Sequence, residues 1–203
     1  MKINQNTVLQ GKRVTLVPYT SAHVPRYHEW MQSEELQRLT ASEPLSLEQE
    51  YEMQRSWRED ADSEDLKHFL RVGGSGKQRM SRAVGGLSVQ FFKDHSDLLP
   101  AALSAELLLH SQHSPEPSYR GRGFGKEATL MMMSYGVRNL GITKFEAKIG
   151  QDNEASICMF KKLHFKEIAL NSVFQEVTLR LDVSDEERRW LLEETNHMKE
   201  KSY

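Results

Sequence analysis

The chain reads Arg120-Gly121-Arg122-Gly123-Phe124-Gly125 immediately before Lys126 and the helix-like run EATLMMM, and the six residues fit the pattern R-x-x-G-x-G. Glycine lets the backbone approach a ligand closely and adopt positive φ. The first N–H groups of a helix have no acceptor within the helix, and the helix dipole favours negative charge beside them. We therefore predict an anion site at this helix start, with a pyrophosphate as the guest.

Two common pyrophosphate loops do not fit this run. A Walker loop needs Ser or Thr after Gly-Lys, and Gly125-Lys126 is followed by Glu127. A dinucleotide-binding loop needs G-x-G-x-x-G, and the glycines here are spaced G-x-G-x-G. Taken alone, the run is equally compatible with a tight loop or a helix cap.

A second motif follows at residues 153–165, NEASICMFKKLHF, which fits N-x-x-S-x-x-x-[FY]-x-K-x-G-F except at His164. Between the two motifs lie a helix and an alternating strand at residues 144–149. The order loop, helix, strand, Asn, helix resembles the GCN5-related N-acetyltransferase (GNAT) superfamily. In that superfamily the corresponding loop and helix bind acetyl-coenzyme A (acetyl-CoA).

The resemblance continues outside these motifs. Residues 9–19 and 23–31 resemble the branch that acetylates protein N-termini, and residues 27–51, 132–150 and 173–181 are closer still to the tubulin N-terminal acetyltransferases. The similarity covers residues 1–62 and 117–203 and is poor in residues 63–116. It implies acetyl-CoA as co-substrate and a protein N-terminal α-amine, that of α/β-tubulin, as acceptor.

Length and composition place limits on the function. A chain of 203 residues predicts a single domain, here an N-acetyltransferase domain over residues 1–203 that ends in a helix and tail at 184–203. The net charge of −2 argues against nucleic acid as the main partner. There is no apolar run long enough to span a membrane and no apolar signal core at the start, so we expect a cytoplasmic protein.

Apolar spacing and capping signals predict alternating strands and helices, and hence an α/β fold with a mixed sheet. The resemblance adds the rest: a single-domain acyl-CoA N-acyltransferase (GNAT) fold with a mostly antiparallel, splayed sheet flanked by helices. The predicted strands are 8–19, 66–72, 83–92, 103–110, 142–149 and 174–183. The predicted helices are 20–31, 46–59, 126–140, 153–162 and 184–198.

The resemblance assigns residues to the cofactor. These are Tyr119, Arg120, Gly121, Arg122, Gly123, Phe124, Gly125, Lys126 and Asn153. Asn153 is also a good helix cap, and the two roles are compatible. Ser156 lies one turn later on the same side, and in related enzymes a serine here has been proposed to serve the leaving thiolate. The alternative for Ser156 is a small residue packed near the cofactor.

Three carboxylates are candidates for the catalytic base, Glu106, Glu146 and Glu176. We choose Glu106, which corresponds to a glutamate often found on the family's fourth strand. Each is more often a solvated strand residue than a catalyst, and deprotonation of the amine through water is the alternative. Phe160 occupies the place of the family's tyrosine acid; phenylalanine has no proton to give, so we expect it in the core.

Several features depart from the family or need an alternative. His164 replaces a glycine at a helix end, which we expect to cost stability. Residues 111–116 look inserted before the cofactor loop and put activity in doubt. Cys158 is expected to be buried, and His110 and His113 lack a third ligand, so no metal site is predicted. Small-molecule amine acetylation, and non-catalytic binding of tubulin or acetyl-CoA, remain alternative functions.

Overall fold

Strands and helices alternate along the chain, as the apolar spacing predicted. The computed structural model describes residues 6–34, 37, 43–59, 66–72, 82–93, 103–109 and 121–203, with the backbone alone for residues 57–59 and for the strands between 66 and 109. The strands are β1 (Thr7–Gln10), β2 (Val14–Pro18), β3 (Leu66–Val72), β4 (Arg82–Lys93), β5 (Leu103–Leu109), β6 (Lys144–Gly150), β7 (Lys166–Asn171), β8 (Glu176–Asp182) and β9 (Lys199–Ser202). The helices are α1 (Val24–Met31), preceded by a 3-10 turn at Ser21–His23, α2 (Leu47–Glu59), α3 (Phe124–Asn139), α4 (Glu154–Lys162) and α5 (Asp185–Glu194).

The described strands form one sheet in the order β7-β8-β6-β5-β4-β3-β2-β1-β9. Its neighbours pair antiparallel except β5 and β6, which are parallel. The predicted α/β class with a mixed, mostly antiparallel sheet is therefore confirmed. Because β5 and β6 are parallel, their carboxyl ends lie at one edge of the sheet, and the segments that lead to α3 and α4 leave from that edge.

Two apolar cores lie on opposite faces of β2. Leu16 belongs to the larger core, with residues of α3, α4, α5, β6 and β8, whereas the next residue, Val17, packs with Tyr19 and Val24 in a smaller core. Successive strand side chains point to opposite faces, so α3 and the α1–α2 pair cover different faces of the sheet. The methionine run 131–133, predicted to be core, is fully buried in the larger one.

The single predicted strand over residues 8–19 is wrong, because the chain reverses in its middle. The N–H of Gly11 donates to the oxygen of Val14 at 2.8 Å, and β1 pairs with β2 across this turn. A Cβ on Gly11 would lie 2.5 Å from the Glu127 carboxylate. Glycine is needed here for close approach to α3, a long-range contact that alternation within a strand does not report.

The C-terminal helix also ends earlier than predicted. Ser184 caps α5 as expected, accepting the N–H of Glu187 at 3.2 Å, but α5 stops at Glu194 and not near residue 198. Residues 199–202 form β9, which pairs antiparallel with β1. Strand β7 was missed as well. All of its residues are exposed, so its sequence does not show the alternation of apolar and polar residues that marks a strand with one buried face.

The helix end at His164 has the predicted left-handed backbone, with φ of 69°. The imidazole Nδ1 lies 2.9 Å from a Glu187 oxygen, and the ring lies 4.1 Å, centroid to centroid, from that of Trp190. These contacts tie the end of α4 to α5. They offset part of the cost of a left-handed residue with a side chain, a compensation that the sequence pattern did not indicate.

Candidate functional site

The glycines of the predicted cofactor loop adopt the backbone conformation that the prediction required. Gly121 has φ of 68° and Gly123 has φ of 76°, the left-handed region that residues with a Cβ avoid. Gly123 is the N-cap of α3, and its oxygen accepts the N–H of Glu127 at 3.1 Å, which closes the first turn. Gly125 and Lys126 come before Glu127, the first residue whose N–H bonds within the helix, so their own N–H groups have no acceptor within the helix.

Arg13, in the β1–β2 turn, holds the carbonyl side of this loop. Its Nη1 donates to the oxygen of Arg122 at 2.7 Å and its Nη2 to the oxygen of Gly123 at 3.2 Å. Its Nε donates to Glu127 Oε2 and its backbone N–H to Glu127 Oε1, both at 2.9 Å. With the two loop carbonyls bonded to Arg13, the amides of the first helical turn are left for the side on which an anion would bind.

Sequence analysis missed Arg13 and Glu127, which lie 114 residues apart. Glu127 is buried at the positive end of α3, and without Arg13 its carboxylate would compete with a bound anion for that site. The positive charge of Arg13 compensates the negative charge of Glu127, so the carboxylate repels a bound anion less. The one local signal was Gly11-Lys12-Arg13, a glycine followed by two basic residues inside an otherwise alternating segment.

Two basic side chains of the predicted loop, Arg122 and Lys126, lie in the described part of the chain. Lys126 is exposed, and Arg122 is exposed with its guanidinium carbon 5.1 Å from the centre of the Phe124 ring. Phe124 is buried in the larger core and anchors the loop. Tyr119 and Arg120 lie outside the described residues, so their predicted roles stay predictions.

The sheet splays beside this loop. In the described register, β5 and β6 pair from Ser104 with Lys144 to Glu106 with Glu146 and no further. Beyond that point β5 continues along β4 to Leu109, and β6 continues along β8 to Gly150. The two carboxyl ends therefore separate and leave a gap between neighbouring strands. Backbone groups that face such a gap are available to a ligand, as at other sites where the topology of a sheet changes direction.

Asn153 and Ser156 lie at the start of α4, directly after β6. Asn153 Oδ1 accepts the N–H of Ser156 at 3.2 Å, so the predicted cap is confirmed. Ser156 is buried, and within the described part of the chain its hydroxyl has no hydrogen-bond partner. A buried unpaired hydroxyl is costly and uncommon. Its position after β6 therefore fits a site in which a bound group supplies the missing contact.

The three candidate bases differ in their surroundings. Glu146 Oε1 receives two hydrogen bonds from Arg180, 3.0 Å from Nε and 2.7 Å from Nη2, so Glu146 is held in an ion pair across β6 and β8. Glu176 is half-buried at the start of β8. Glu106 is described by its backbone, which lies in register with Gln90 and with Glu146 at the last paired position before the splay.

An acidic and aromatic cluster lies on the opposite face, between α1 and α2. Glu50 is 2% exposed, its Oε1 is 3.9 Å from His28 Nδ1, and its Oε2 has no hydrogen-bond partner among the described residues. Burial raises the pKa of the Glu50 carboxyl, opposed by His28. Burial also raises the pKa values of Tyr19 and Tyr27, with Glu50 adding to both. Glu50 therefore differs from Glu48 in the first turn of the same helix, which is exposed.

Two further predictions concern α4 and metal binding. Phe160 is buried, with its ring centre 5.0 Å from that of Phe165, as expected. Cys158 is exposed, so the prediction of a buried cysteine is wrong. The residue before it, Ile157, packs against the larger core, whereas Cys158 lies on the outer face of the helix. Across the described ranges, no three His, Cys, Asp or Glu side chains come together as metal ligands. His110 and His113 lie outside those ranges.

The splayed sheet, the left-handed glycines before α3 and the cap of α4 occur together in a known protein family. The family profile described as "Acetyltransferase (GNAT) domain" matches residues 13–166. The chain belongs to the GNAT acetyltransferase family. Its reaction class is therefore N-acetyl transfer, as the sequence motifs predicted.

Relatives and solved structures agree with this assignment. Alpha/beta-tubulin-N-acetyltransferase 9 of Homo sapiens is 56% identical over 209 residues, which span 100% of this chain and 96% of that protein. RimJ of Mycobacterium smegmatis, solved in complex with CoA-disulfide, superposes with a TM-score of 0.69 at 14% identity over 96% of this chain and 97% of RimJ. Spermidine N-acetyltransferase of Vibrio cholerae, solved with CoA and spermine, gives 0.65 at 14% identity over 84% and 95%. The two structures support the GNAT fold.

The helices of the described ranges include none that is both long enough and apolar enough to cross a bilayer.

Proposed function

We propose that this chain transfers the acetyl group of acetyl-CoA to the N-terminal α-amine of a protein, with α/β-tubulin as the acceptor and the cytoplasm as the location. The acceptor is supported by the full-length similarity to alpha/beta-tubulin-N-acetyltransferase 9, at 56% identity. We further propose that residues 1–203 act as one N-acetyltransferase domain, because β9 at the end of the chain pairs with β1 at its beginning.

The left-handed loop at the start of α3 is the observation that carries the cofactor assignment. Gly121 and Gly123 turn the chain so that the amides of Gly125 and Lys126 face off the end of the helix. Among the residues that the structure describes, no atom lies within 4 Å of a Cβ built at Gly121. Backbone donors and an exposed lysine at a helix N-terminus suit a pyrophosphate.

Bound acetyl-CoA would supply an activated thioester, and the chain's residues would handle position and protons. We assign Asn153 and Ser156 to the pantetheine side of the gap between β5 and β6, as Ser156 is buried with an unpaired hydroxyl. The amine nitrogen forms the new bond to the acetyl carbon, the carbon–sulfur bond breaks, and the Ser156 hydroxyl donates a proton toward the departing sulfur. The proton lost by the amine goes to Glu106 or to water, and a water molecule returns a proton to the Ser156 oxygen, so that coenzyme A leaves as the thiol and the serine is restored.

The acceptor must be neutral at nitrogen when it attacks, and an α-amine has a pKa near 8. Positioning two bound substrates at the splay supplies much of the rate enhancement available to such a reaction.

The test mixes the protein with acetyl-CoA carrying a labelled acetyl group and with three acceptors: a peptide of the tubulin N-terminus, the same peptide with a blocked α-amine, and spermidine. We expect label on the free peptide, located at its first residue by mass spectrometry, and none on the blocked peptide. Preferential labelling of spermidine would contradict the acceptor class. Tight binding of acetyl-CoA without transfer to any acceptor would contradict catalysis and favour the binding-only alternative.

A further inference from the structure

Strand β9 (Lys199–Ser202) lies at one end of the sheet, opposite to the end that β7 forms, and pairs with β1 on its inner side. No described strand lies on its outer side. All four of its residues are exposed. A strand edge of this kind presents backbone donors and acceptors on which a further strand can pair.

The pairing with β1 decides which backbone groups point outward. Tyr203, the residue after β9, lies opposite Asn6 in the register of the two strands and donates its N–H to the Asn6 oxygen at 2.7 Å. In an antiparallel pair, residues that bond to the neighbouring strand alternate with residues whose backbone groups point away from it. Every second residue before Tyr203 therefore bonds to β1. The other two residues of β9, Glu200 and Ser202, direct their N–H and C=O groups outward.

The side chains of β9 separate its charges between the two faces of the sheet. Lys199 and Lys201 share one face, because successive side chains of a strand point to opposite faces. Neither lysine takes part in an ion pair within the part of the chain that the structure describes. Glu200 lies on the other face, where Asn139 Nδ2 donates to its Oε2 at 3.2 Å. The carboxylate is thus turned away from the two ammonium groups.

A second copy of β9 is a poor occupant of this edge. Two-fold antiparallel pairing centred on Glu200 sets Lys199 opposite Lys201 of the other copy, and pairing centred on Lys201 sets that lysine opposite itself. Like charges directly opposite each other destabilise a strand pair, whereas opposite charges stabilise it. A strand with carboxylates at alternate positions reverses the sign of these contacts, so the edge is complementary to an acidic segment.

We propose that the outer edge of β9 binds an extended acidic peptide segment as an additional antiparallel strand. Carboxylates at alternate positions of the segment lie opposite Lys199 and Lys201, and the residues between them bond to the outward backbone groups of Glu200 and Ser202. Main-chain hydrogen bonds supply affinity in this mode of recognition, and alternate side chains supply specificity. Binding here requires neither acetyl-CoA nor acetyl transfer, so the surface adds a contact with a protein partner beyond the proposed function.

The experiment measures binding of a fluorescent peptide to the full chain by anisotropy. The peptide alternates glutamate with threonine, and its N-terminus is acetylated so that it offers no α-amine. The comparison peptide has glutamine in place of glutamate. We expect the glutamate peptide to bind more tightly than the glutamine peptide, and equal binding of the two would overturn the role of the lysines.

Charge variants place the site on the strand. Lys199→Gln and Lys201→Gln should each weaken binding of the glutamate peptide about twofold to fivefold, the effect of one opposite-charge pair across two strands, with unchanged melting temperatures. Lys166→Gln is the matched control, because Lys166 is an exposed lysine at the start of the edge strand β7 at the other end of the sheet. Equal effects of Lys166→Gln and the two β9 variants would overturn a site at β9.

N-methylated peptides test strand addition without any change to the protein. In the proposed register the threonine amides face β9 and the glutamate amides point away. Methylation of the threonine nitrogens should therefore abolish the gain in affinity, and methylation of the glutamate nitrogens should leave it. If methylation at the two sets of positions has the same effect, or none, antiparallel strand addition is overturned.

A single-stranded oligonucleotide of the same net charge as the peptide serves as a probe for other polyanions. Weaker binding of the oligonucleotide supports the peptide, because a nucleic acid cannot form the ladder of main-chain hydrogen bonds. If it binds as tightly and depends equally on Lys199 and Lys201, the edge is a general polyanion surface and the assignment to a peptide is overturned. None of these measurements uses the cofactor, so their failure leaves the proposed acetyl transfer intact.

Discussion

Gly123 combines two requirements at one residue. Its φ of 76° is unfavourable for any residue with a Cβ, and a Cβ there would lie 3.3 Å from the Arg13 guanidinium. Gly141, just past the other end of α3, has φ of 69°, and a Cβ at that position would have no atom of the described part of the chain within 4 Å. The two glycines thus share the backbone requirement and differ in their distance from the proposed cofactor site.

We predict that Gly123→Ala and Gly141→Ala each lower the free energy of unfolding by about 1–2 kcal/mol, the cost of a left-handed alanine. Gly123→Ala alone should weaken coenzyme A binding, by tenfold or more, because the loop would turn its amides away. Denaturant titration and calorimetry of both variants check this. Equal loss of affinity in the two variants would mean that general destabilisation, and not loop geometry, controls binding.

Ser156 differs from Gly123, because we expect it to matter for the reaction and not for the stability of the fold. Its hydroxyl makes no hydrogen bond to any of the described residues. We predict that Ser156→Ala leaves the free energy of unfolding unchanged or raises it by up to ~1 kcal/mol, because a buried unpaired hydroxyl is removed. The turnover number should fall about tenfold or more if the hydroxyl protonates the leaving sulfur. Steady-state kinetics measures the turnover number, and calorimetry of the same variant measures its affinity for coenzyme A. An unchanged turnover number would exclude that role.

At the scale of elements, the β1–β2 turn and α3 are joined through the Arg13–Glu127 pair, in which Glu127 is buried and Arg13 is half exposed. Arg13→Gln leaves a buried carboxylate without its cation, and we predict a loss of about 1–3 kcal/mol in the free energy of unfolding. Adding Glu127→Gln should restore part of that stability. It should not restore coenzyme A affinity, because the bonds from Arg13 to the carbonyls of Arg122 and Gly123 stay lost.

A double-mutant cycle on Arg13 and Glu127 measures this difference, with stability and affinity determined on the same samples. Arg26→Gln is the control, since Arg26 forms an exposed ion pair with Glu29 at 2.6 Å on α1, which contributes about 0–1 kcal/mol. Recovery of affinity together with stability in the double variant would show that Arg13 acts on the cofactor site through the fold alone.

The α1–α2 pair contains the buried Glu50, which faces His28 on α1 and Tyr19 and Tyr27 nearby. Burial raises the pKa of its carboxyl in the folded protein, so the folded state retains that proton to a higher pH than the unfolded chain. The unfolded chain therefore binds fewer protons as the pH rises above the ordinary value of 4.5, and the contribution of Glu50 to stability falls over that interval.

We predict that Glu50→Gln flattens this decline, so that its stability relative to wild type increases from pH 4.5 toward neutrality. Urea titrations at several pH values in that interval give the comparison, and Glu48→Gln, at an exposed position in the first turn of the same helix, is the control. A wild type whose stability rises with pH over the interval, with Glu50→Gln showing no difference in slope, would contradict a raised carboxyl pKa.

At the scale of the whole molecule, the sequence was informative wherever the signal is local. The loop 120–125, the cap at Asn153 and the glycine at 141 follow from a few neighbouring residues, and the structure agrees wherever it describes them. Helix α3 is present as predicted but begins at Phe124, two residues before the predicted start at 126. Family resemblance then supplied the splay between β5 and β6, which begins after Glu106 and Glu146.

Features that depend on distant partners were not predictable in this way. The bonds of Arg13 to the loop span more than 100 residues, and β9 pairs with β1 from the opposite end of the chain. Exposed β7 and the exposed Cys158 carry no burial pattern that would have marked them. The roles of Glu106, Ser156 and the loop side chains stay predictions, because side-chain chemistry at a site depends on a ligand's position as well as on the fold.

Amide chemical shifts of the loop glycines test the central claim most directly. The chain has 12 glycines, so labelling glycine alone with nitrogen-15 gives a spectrum simple enough to assign. On titration with coenzyme A we expect the amides of Gly121, Gly123 and Gly125 to shift, and pantetheine, which has no pyrophosphate, to leave them in place. Binding of coenzyme A that shifts other glycines and leaves these three unmoved would contradict pyrophosphate capture at the start of α3.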